Sequence, residues 1–462
     1  MMHPVARLSS ALMLSAGLQA ASAADLIDAW RAAQTHDLEF VAAQSARQAG
    51  EARRAQAASV WRPSVLLTGA VGKASNETTT NGAKFSAPGF GSAEGASFDT
   101  SINNGNLTRW ALEARQPLVN RERDAQKRQL ELAADVAELE WQSAQQSLML
   151  RTAERYFDAA LAGEALRVLR HQQGAVERAV AEARDRFRLG DVPITDTHEA
   201  AARAEAIRAD VLAAEAQWQL KQAALADVTG LSPAELQKLA PADARIALDV
   251  PPLAQWLADA KASNLQWRAQ SAGTEVAQQE AAKFSAQAAL SLDLVAHVGQ
   301  DRLSGSGDFG PASNNLNNAM IGLQLTVPLY TGGYRSARQD EALRLADKAS
   351  TDAERTAQQV AQQTRAAWLG LTVGAARANA LAEALKATLS RLDATRVGRQ
   401  AGDRTTLDLL NAENDAARAE LALLEARVAL LLDRLRIAAL VGRLDEGQLQ
   451  AVNASLQPGA LR

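Results

Sequence analysis

The chain of 462 residues contains no cysteine, and this absence excludes several features. No disulfide framework, no thiolate metal site and no lipid anchor on an N-terminal cysteine can form. Aromatic residues make up only 4% of the chain, and alanine dominates the apolar set. That composition favours long, closely packed helices over a thick globular core. Because the net charge is −4 and no run of Lys or Arg occurs, nucleic acid is not an expected partner.

Histidine is scarce as well, with five residues in the whole chain. Four of them, His36, His171, His198 and His297, are scattered without the spacing of metal ligands. The sequence also contains no HExxH helix, no Gly-rich phosphate loop and no nucleophile elbow. We therefore expect neither an enzyme nor a resident cofactor or metal.

Residues 1–23 have the pattern of a secretory signal peptide. Arg7 precedes an apolar segment, Leu8 to Leu18, and the small residues Ala21 and Ala23 mark a cleavage site. A buried N-terminal helix would give a similar pattern and is the alternative. Beyond this segment, no apolar run approaches the roughly 18–20 residues of a membrane helix. We expect an exported chain that does not cross the inner membrane by a helix.

Proline is absent from two long stretches, between Pro117 and Pro193 and between Pro328 and Pro458. A helix over about residues 118–188 would be about 100 Å long, which is typical of a coiled coil or a helical tube. The second stretch contains a heptad seam in which mostly apolar residues alternate spacings of three and four. The seam consists of Leu407, Leu410, Asn414, Ala417, Leu421, Leu424, Val428, Leu431 and Leu435.

The two stretches belong to an internal repeat. A shift of 212 residues superposes Gly190 in "RLGDVPITDTHEA" on Gly402 in "QAGDRTTLDLLNAEN", and it places Gly230 on Gly442. Each copy predicts a long helix, a tight Gly turn and a return helix, although Lys221 interrupts the seam of the first copy. The predicted boundaries are repeat 1 at 24–230 (β-hairpin about 64–118, helical hairpin about 118–229), a linker at 231–252, repeat 2 at 253–442 (β-hairpin about 290–329, helical hairpin about 335–441) and a C-terminal tail at 443–462.

Alternation of apolar and polar residues predicts two strands in each copy. In the second copy, Leu290, Leu292 and Leu294 alternate with Ser291 and Asp293. Long polar loops are expected between the strands, at 75–106 and 300–317. Transmembrane β-barrels and soluble two-sheet domains share this pattern. Four strands are too few to close a barrel, and an open edge in lipid would leave backbone groups unpaired. If the strands span a bilayer, several chains must share one barrel, and three copies would give twelve strands, an acceptable even number.

The duplicated plan and the phrase "GDRTTLDLLNAEN" resemble the TolC family of outer-membrane channels, from "LIDAWRAAQTHDLEF" to "AALVGRL". The resemblance implies an α+β membrane protein with two internal repeats. It implies a homotrimer in which a 12-stranded outer-membrane β-barrel, four strands per chain, continues into a long periplasmic α-helical barrel. A protein with this fold is expected to contact outer-membrane lipid and to have a large periplasmic portion.

The resemblance also assigns site residues near the two Gly turns. Asn411 stands where the family has a second acidic residue, and Arg399 stands where it often has an aromatic one. The implied roles are a channel constriction (Asp408, Asn411), gate links (Arg404, Thr195, Asp196, Arg399) and adaptor docking at the helical tip (Leu189, Gly190, Ala401, Gly402). Helix capping is the simpler interpretation of some of them. Thr405 with Asp408 fits a capping box, and Asp196 with Glu199 a looser one.

The implied function is that of a passive exit duct in a tripartite export system, gated at the helical tip. Its expected partners are a periplasmic adaptor and an inner-membrane transporter, either ABC-type or proton-driven. Type I protein secretion is favoured because the sequence has no cysteine for a lipid anchor, and small-molecule efflux is the alternative. From another class, a soluble periplasmic coiled-coil adaptor would also explain the heptad seam.

Overall fold

The computed structural model describes residues 25–89, 91–231, 250–287, 289–308 and 310–454. The predicted signal peptide, most of the predicted linker and the end of the predicted tail lie outside these residues. Within the described ranges, no helix is both long enough and apolar enough to span a bilayer. The elements are α1 (Leu26–His36), α2 (Leu38–Ser59), β1 (Ser64–Ala87), β2 (Gly91–Val119), α3 (Arg121–Leu189), α4 (Ile194–Thr229), α5 (Leu253–Ser263), α6 (Leu265–Ala286), β3 (Ser291–Gly307), β4 (Gly310–Thr326), α7 (Tyr334–Gln400), α8 (Thr406–Leu440) and α9 (Glu446–Ala454).

The described chain forms two compact units. The helical unit contains the described residues within 1–46, 139–268 and 355–462, and the strand unit contains those within 47–138 and 269–354. The two longest helices, α3 with 69 residues and α7 with 67, contribute to both units. Both helices lie in the proline-free stretches, where the backbone hydrogen-bond ladder is not interrupted.

The strand unit contains one antiparallel sheet in the order β1-β2-β3-β4. Its register pairs Ser64 with Arg115 and Ser291 with Thr326. The strands are longer than we expected, because most of 75–106 and 300–317 is strand rather than loop. The expectation was wrong because these segments lack an apolar period. Their strands are defined by backbone pairing, which an alternation pattern does not detect.

The two faces of this sheet differ in polarity. We call one the apolar face because its side chains are mainly hydrophobic and exposed: Val65, Leu67, Val71, Trp110, Leu112, Leu294, Val298, Ile321, Leu323 and Leu325. The opposite, polar face contains Asp293 and His297, together with an ion pair in which Arg109 donates to Asp301 at 2.8 Å. Three exposed hydrophobic side chains, those of Leu66, Leu316 and Met320, also lie on this face. A sheet with an exposed apolar side and a charged side is suited to a lipid boundary around an aqueous lumen.

Helix α8 is buried on a wider arc than its heptad seam predicts. Five seam residues are buried, namely Leu410, Leu424, Val428, Leu431 and Leu435. Leu410 packs with α3 and α4, whereas Ala412 and Ala416, which lie off the seam, pack against Leu392 of α7. One seam describes contact with one partner, and α8 has partners on two sides. In the first copy, Lys221 donates to Asp158 of α3 at 2.6 Å, which explains a cation within that seam.

Candidate functional site

The two Gly turns of the helical unit have the same backbone geometry. Gly190 and Gly402 both have positive φ, 81° and 87°. In the first turn the amide of Asp191 donates to the carbonyl of Arg186, and in the second Asp403 donates to Gly398. These are Schellman-type helix ends, in which glycine adopts the left-handed conformation at little cost. The repeat found in the sequence is therefore also a repeat of local structure.

Helix α8 begins with a complete capping box. The amide of Asp408 donates to Thr405 Oγ1 at 3.1 Å, and the amide of Thr405 donates to Asp408 Oδ2 at 3.0 Å. The Thr405 hydroxyl also donates to Asp408 Oδ2, at 2.9 Å. These bonds satisfy backbone donors that the first turn of a helix otherwise leaves unpaired. Within one chain, the hydrogen bonds of Asp408 are therefore those of a helix cap, as the capping interpretation predicts.

The same bonds favour the charged form of the Asp408 carboxylate. The hydrogen bond from the Thr405 amide, then that from its hydroxyl, hold the pKa of Asp408 below its usual value, and the nearby Arg404 adds to the effect. Asn411 lies one helical turn further on and is exposed. Residues three apart share one face of a helix. The start of α8 therefore presents a fixed negative charge followed by a neutral amide.

Arg404 lies across the end of α7. A Cβ atom on Gly398 would come within 3.0 Å of Arg404 Cγ, so the glycine leaves room for the arginine stem. Its side chain is exposed, and no hydrogen bond or ion pair joins it to Thr195 or Asp196 within the described residues. One chain alone therefore does not form the predicted links of Arg404.

Thr195 and Asp196 lie in the first turn of α4. The N-cap of α4 is Pro193, which makes no side-chain hydrogen bond, so the looser capping box of Asp196 and Glu199 does not form. Proline has no backbone N–H. It is suited to a helix start because the first N–H groups of a helix have no partner within the helix. Asp196 instead lines a cleft of about 110 Å³, whose opposite wall includes Thr405 and the following residues of α8. The structure therefore brings the starts of the two return helices together.

Arg399 is held by a residue that the sequence did not reveal. Its guanidinium forms an ion pair with Glu182 of α3, so it links the two helical hairpins of one chain. The Arg399 side chain is only 14% exposed, whereas that of Glu182 is 46% exposed. The sequence shows both charges, but their pairing depends on how α7 packs against α3. No local pattern contains that information.

Further polar bonds join the first helical hairpin to α8. Gln172 donates to the seam residue Asn414 at 3.1 Å, and Arg167 donates to Glu420 at 2.7 Å.

The residues predicted for adaptor docking lie at the turns, where Leu189 is 77% exposed and Gly190, Ala401 and Gly402 are also exposed. Over the described ranges, no group of three or more His, Cys, Asp or Glu side chains could hold a metal ion.

Comparison with known proteins gives consistent matches. The model of the outer membrane efflux protein family matches residues 29–231 and 256–443. The chain is 29% identical over 336 residues to the outer membrane protein TolC of Vibrio cholerae, covering 71% of this chain and 75% of that one. It is 26% identical over 449 residues to the alkaline protease secretion protein AprF of Pseudomonas aeruginosa, covering 95% and 89%. The solved Campylobacter jejuni CmeC outer membrane channel superposes with a TM-score of 0.72 at 14% identity, covering 100% of this chain and 99% of that one.

The comparisons confirm the predicted fold class, that of the trimeric outer-membrane channels with four strands per chain and long helices. They also confirm the outer-membrane location, and they do not favour the soluble coiled-coil adaptor. The family model accounts for most of the chain, including both helical hairpins. The chain belongs to the outer membrane efflux protein family, and it is an exit duct of the outer membrane with a periplasmic part.

Proposed function

We propose that the chain is the outer-membrane duct of a type I protein secretion system. It acts as a homotrimer, with repeat 1 at 24–230 and repeat 2 at 253–442 each supplying one β-hairpin and one helical hairpin. The duct is passive. An inner-membrane transporter supplies the energy, and a periplasmic adaptor connects the two.

The observation that carries the secretion assignment is the extent of the match to AprF. That alignment covers 95% of this chain, whereas the alignment to the V. cholerae TolC covers 71%. AprF is an alkaline protease secretion protein. We extend that class of cargo to this chain as part of the proposal.

The proposed constriction is built from the start of α8. In the trimer, three Asp408 carboxylates face the threefold axis, and three Asn411 side chains form the next layer. The capping box supports this role because it fixes the carboxylate and keeps it charged. Like charges around one axis repel each other, so the closed state needs links that hold the helices inward.

Two kinds of link supply that restraint. Within one chain, Arg399 and Glu182 connect the two hairpins. Between chains, Arg404 of one copy reaches Thr195 and Asp196 of its neighbour. The absence of these contacts within the described part of one chain, and the exposure of Arg404, support the second kind. Each exposed link is worth about 0.2–1 kcal/mol, so contacts with a partner protein can open the gate by favouring the open state.

The adaptor docks on the two Gly turns. Leu189 is an exposed apolar side chain beside Gly190, and Ala401 with Gly402 gives the second turn a small, accessible surface. Because the turns share one backbone geometry, two related sites on each chain can bind two copies of one adaptor segment.

Deleting the gene in its own host tests the function. We expect specific proteins to disappear from the culture medium, as measured by mass spectrometry, and to return with the wild-type gene. The Leu189→Asp variant should restore the amount of channel in the outer membrane but not the secreted proteins. Leu212→Asp, which changes an exposed leucine away from the turns, is the matched control. An unchanged set of secreted proteins would refute the secretion assignment.

Small-molecule efflux is the second candidate, favoured by the description of the matching family as outer membrane efflux proteins. It predicts that the deletion strain becomes sensitive to exported dyes and antibiotics while its secreted proteins are unchanged. The same pair of strains therefore distinguishes the two functions.

A further inference from the structure

The strands β1 and β2 extend well beyond the rest of the sheet. The last pair between β2 and β3 is Asn103 with Ser306, whereas β1 and β2 remain paired from Glu77 with Ser101 to Ala87 with Gly91. At the inner end, the amide of Asp308 still donates to the Ser101 hydroxyl at 3.2 Å. We call residues 77–89 and 91–102 the free ribbon because, among the described residues, no third strand pairs with them. Two strands without a third, or without a packed face, are only marginally stable in water. The ribbon therefore needs an additional contact surface.

Chain connectivity places the free ribbon at the outer end of the sheet. The first residue of β1 follows α2, and the last residue of β2 leads into α3, so the helices join the opposite end of these strands. The apolar face lies between the two ends, with Val65 near the helices and Val71 towards the ribbon. Because the long helices belong to the periplasmic part, the ribbon lies outside the cell.

The sides of the ribbon are reversed relative to the sheet below it. Side chains alternate along a strand, and paired residues share a side. Following the register through its bulges puts Phe85, Phe98 and Ile102 on the side of the polar face. Glu77 and Asp99 lie on the side of the apolar face. In the sheet below the ribbon most exposed hydrophobic side chains lie on the apolar face, whereas Phe85 and Phe98 of the ribbon lie on the lumen side.

A bulge marks the point where this reversal begins. The register shifts between Asn103 and Asn106, and Asn104 has a φ of 47°. Ile102 is 5% exposed, and its Cγ2 lies 3.0 Å from where a Cβ on Gly105 would be. Because residue 105 is a glycine, the Ile102 side chain can pack against the sheet at this position. Bulges of this kind bend a strand and redirect its side chains.

Farther along the ribbon, Phe85 and Phe98 lie on the same side as Ile102 but are not buried as it is. Phe85 is 46% exposed and Phe98 is 45% exposed. Lipid is not their occupant, because they lie on the side opposite the exposed apolar face. In a threefold assembly, the lumen side of each ribbon faces the same side of the other two copies. The occupant that fits is therefore a second copy of this chain.

We propose that the three free ribbons meet over the outer mouth and close it, as a second gate distinct from the helical tip. This proposal rests on the homotrimer proposed above. The phenylalanines and the threonine methyl groups of Thr80 and Thr100 form the contact between copies. Glu77 and Asp99 remain in water on the outer side, where they keep the closed ribbons soluble.

Cross-linking tests the contact between ribbons, and the absence of native cysteine makes every reporter unique. In purified trimers, we expect oxidised Phe98→Cys to give a covalent dimer on denaturing gels, because a disulfide requires Cα atoms about 4.4–6.8 Å apart. Thr100→Cys, on the same side, is a second reporter if Phe98→Cys assembles poorly. Asp99→Cys, the adjacent residue on the other side, is the matched control and should remain monomeric on the gel.

Conductance in planar bilayers tests closure. Oxidised Phe98→Cys should lose most of the conductance that the reduced form shows, and Asp99→Cys should be unaffected by oxidation. Native mass measurement in detergent checks the trimer independently. Intact trimers with no dimer from either Phe98→Cys or Thr100→Cys would overturn the outer gate while leaving the exit duct in place. Cross-linking without loss of conductance would also overturn it, and a failure to form trimers would refute the assembly itself.

Discussion

Thr405 and Asp408 have two roles at the start of α8. Their mutual hydrogen bonds cap the helix, and the same bonds hold the pKa of Asp408 below its usual value. Capping and the proposed constriction are therefore compatible, because the cap fixes the position and the charge of the carboxylate. In the proposed constriction, Asn411 has no charge to add, so we expect one carboxylate per chain to set the selectivity of this layer.

Replacing Thr405 with Ala should shift the pH dependence of ion selectivity. A carboxylate with a lowered pKa keeps its charge as the pH falls, and loses it only when the pH passes that lowered value. Without the hydroxyl, the pKa of Asp408 rises towards its ordinary value. The cation preference of Thr405→Ala channels should then disappear at a higher pH than that of wild type, as measured by reversal potentials in salt gradients.

Thr405→Ser is the control for this experiment, because serine keeps the hydroxyl and the capping box. Its pH profile should follow that of wild type. Identical profiles for Thr405→Ala and wild type would mean that the Thr405 hydroxyl does not contribute to the lowered pKa of Asp408.

Breaking the pair between Arg399 and Glu182 should favour the open state. Glu182→Gln removes a link worth about 1 kcal/mol, given that Glu182 is well exposed to water. We expect a higher open probability in single-channel records, and we expect the exchanged pair, Glu182→Arg with Arg399→Glu, to return it towards wild type. Asp185→Asn breaks a pair with Arg188 inside α3 and is the control. The role as a gate link fails if Glu182→Gln and Asp185→Asn behave alike.

At the scale of elements, the sequence predicted the long helices and Gly turns well because their signals are local. The proline-free stretches and the positive φ of Gly190 and Gly402 each depend on a few neighbouring residues. The ion pair of Arg399 and the second partner of α8 were not predictable, because they depend on how separate helices pack. The sequence predicted a loop where the free ribbon lies, because the paired strands of the ribbon show no regular alternation of apolar and polar residues.

Leu435 and Leu407 both belong to the heptad seam, but their environments differ. Leu435 is fully buried in the core that α8 shares with α1 and α3, whereas Leu407 is 46% exposed. Leu435→Ala should cost about 2–5 kcal/mol of unfolding free energy, because it leaves a cavity. Leu407→Ala should cost less than about 1 kcal/mol. Urea unfolding followed by circular dichroism compares the two variants, and equal losses would contradict the packing of α8.

At the scale of the whole molecule, the proposed duct is closed at rest. The apolar face of the sheet is suited to lipid, the charged opposite face to water, and the starts of the return helices to a narrow, negatively charged entrance. Passive transport requires only that such a path exist and open. Cargo and energy then come from the partners in the export system.

Single-channel conductance of the purified protein in planar bilayers tests the central claim most directly. Wild type should give small, cation-preferring steps, Asp408→Ala should weaken the preference, and Arg404→Ser should enlarge the steps. Asp403→Ala, which removes an exposed carboxylate from the same turn, should leave the preference close to wild type. The proposed gated duct is contradicted if no variant inserts or conducts, or if Asp408→Ala conducts with the selectivity of wild type.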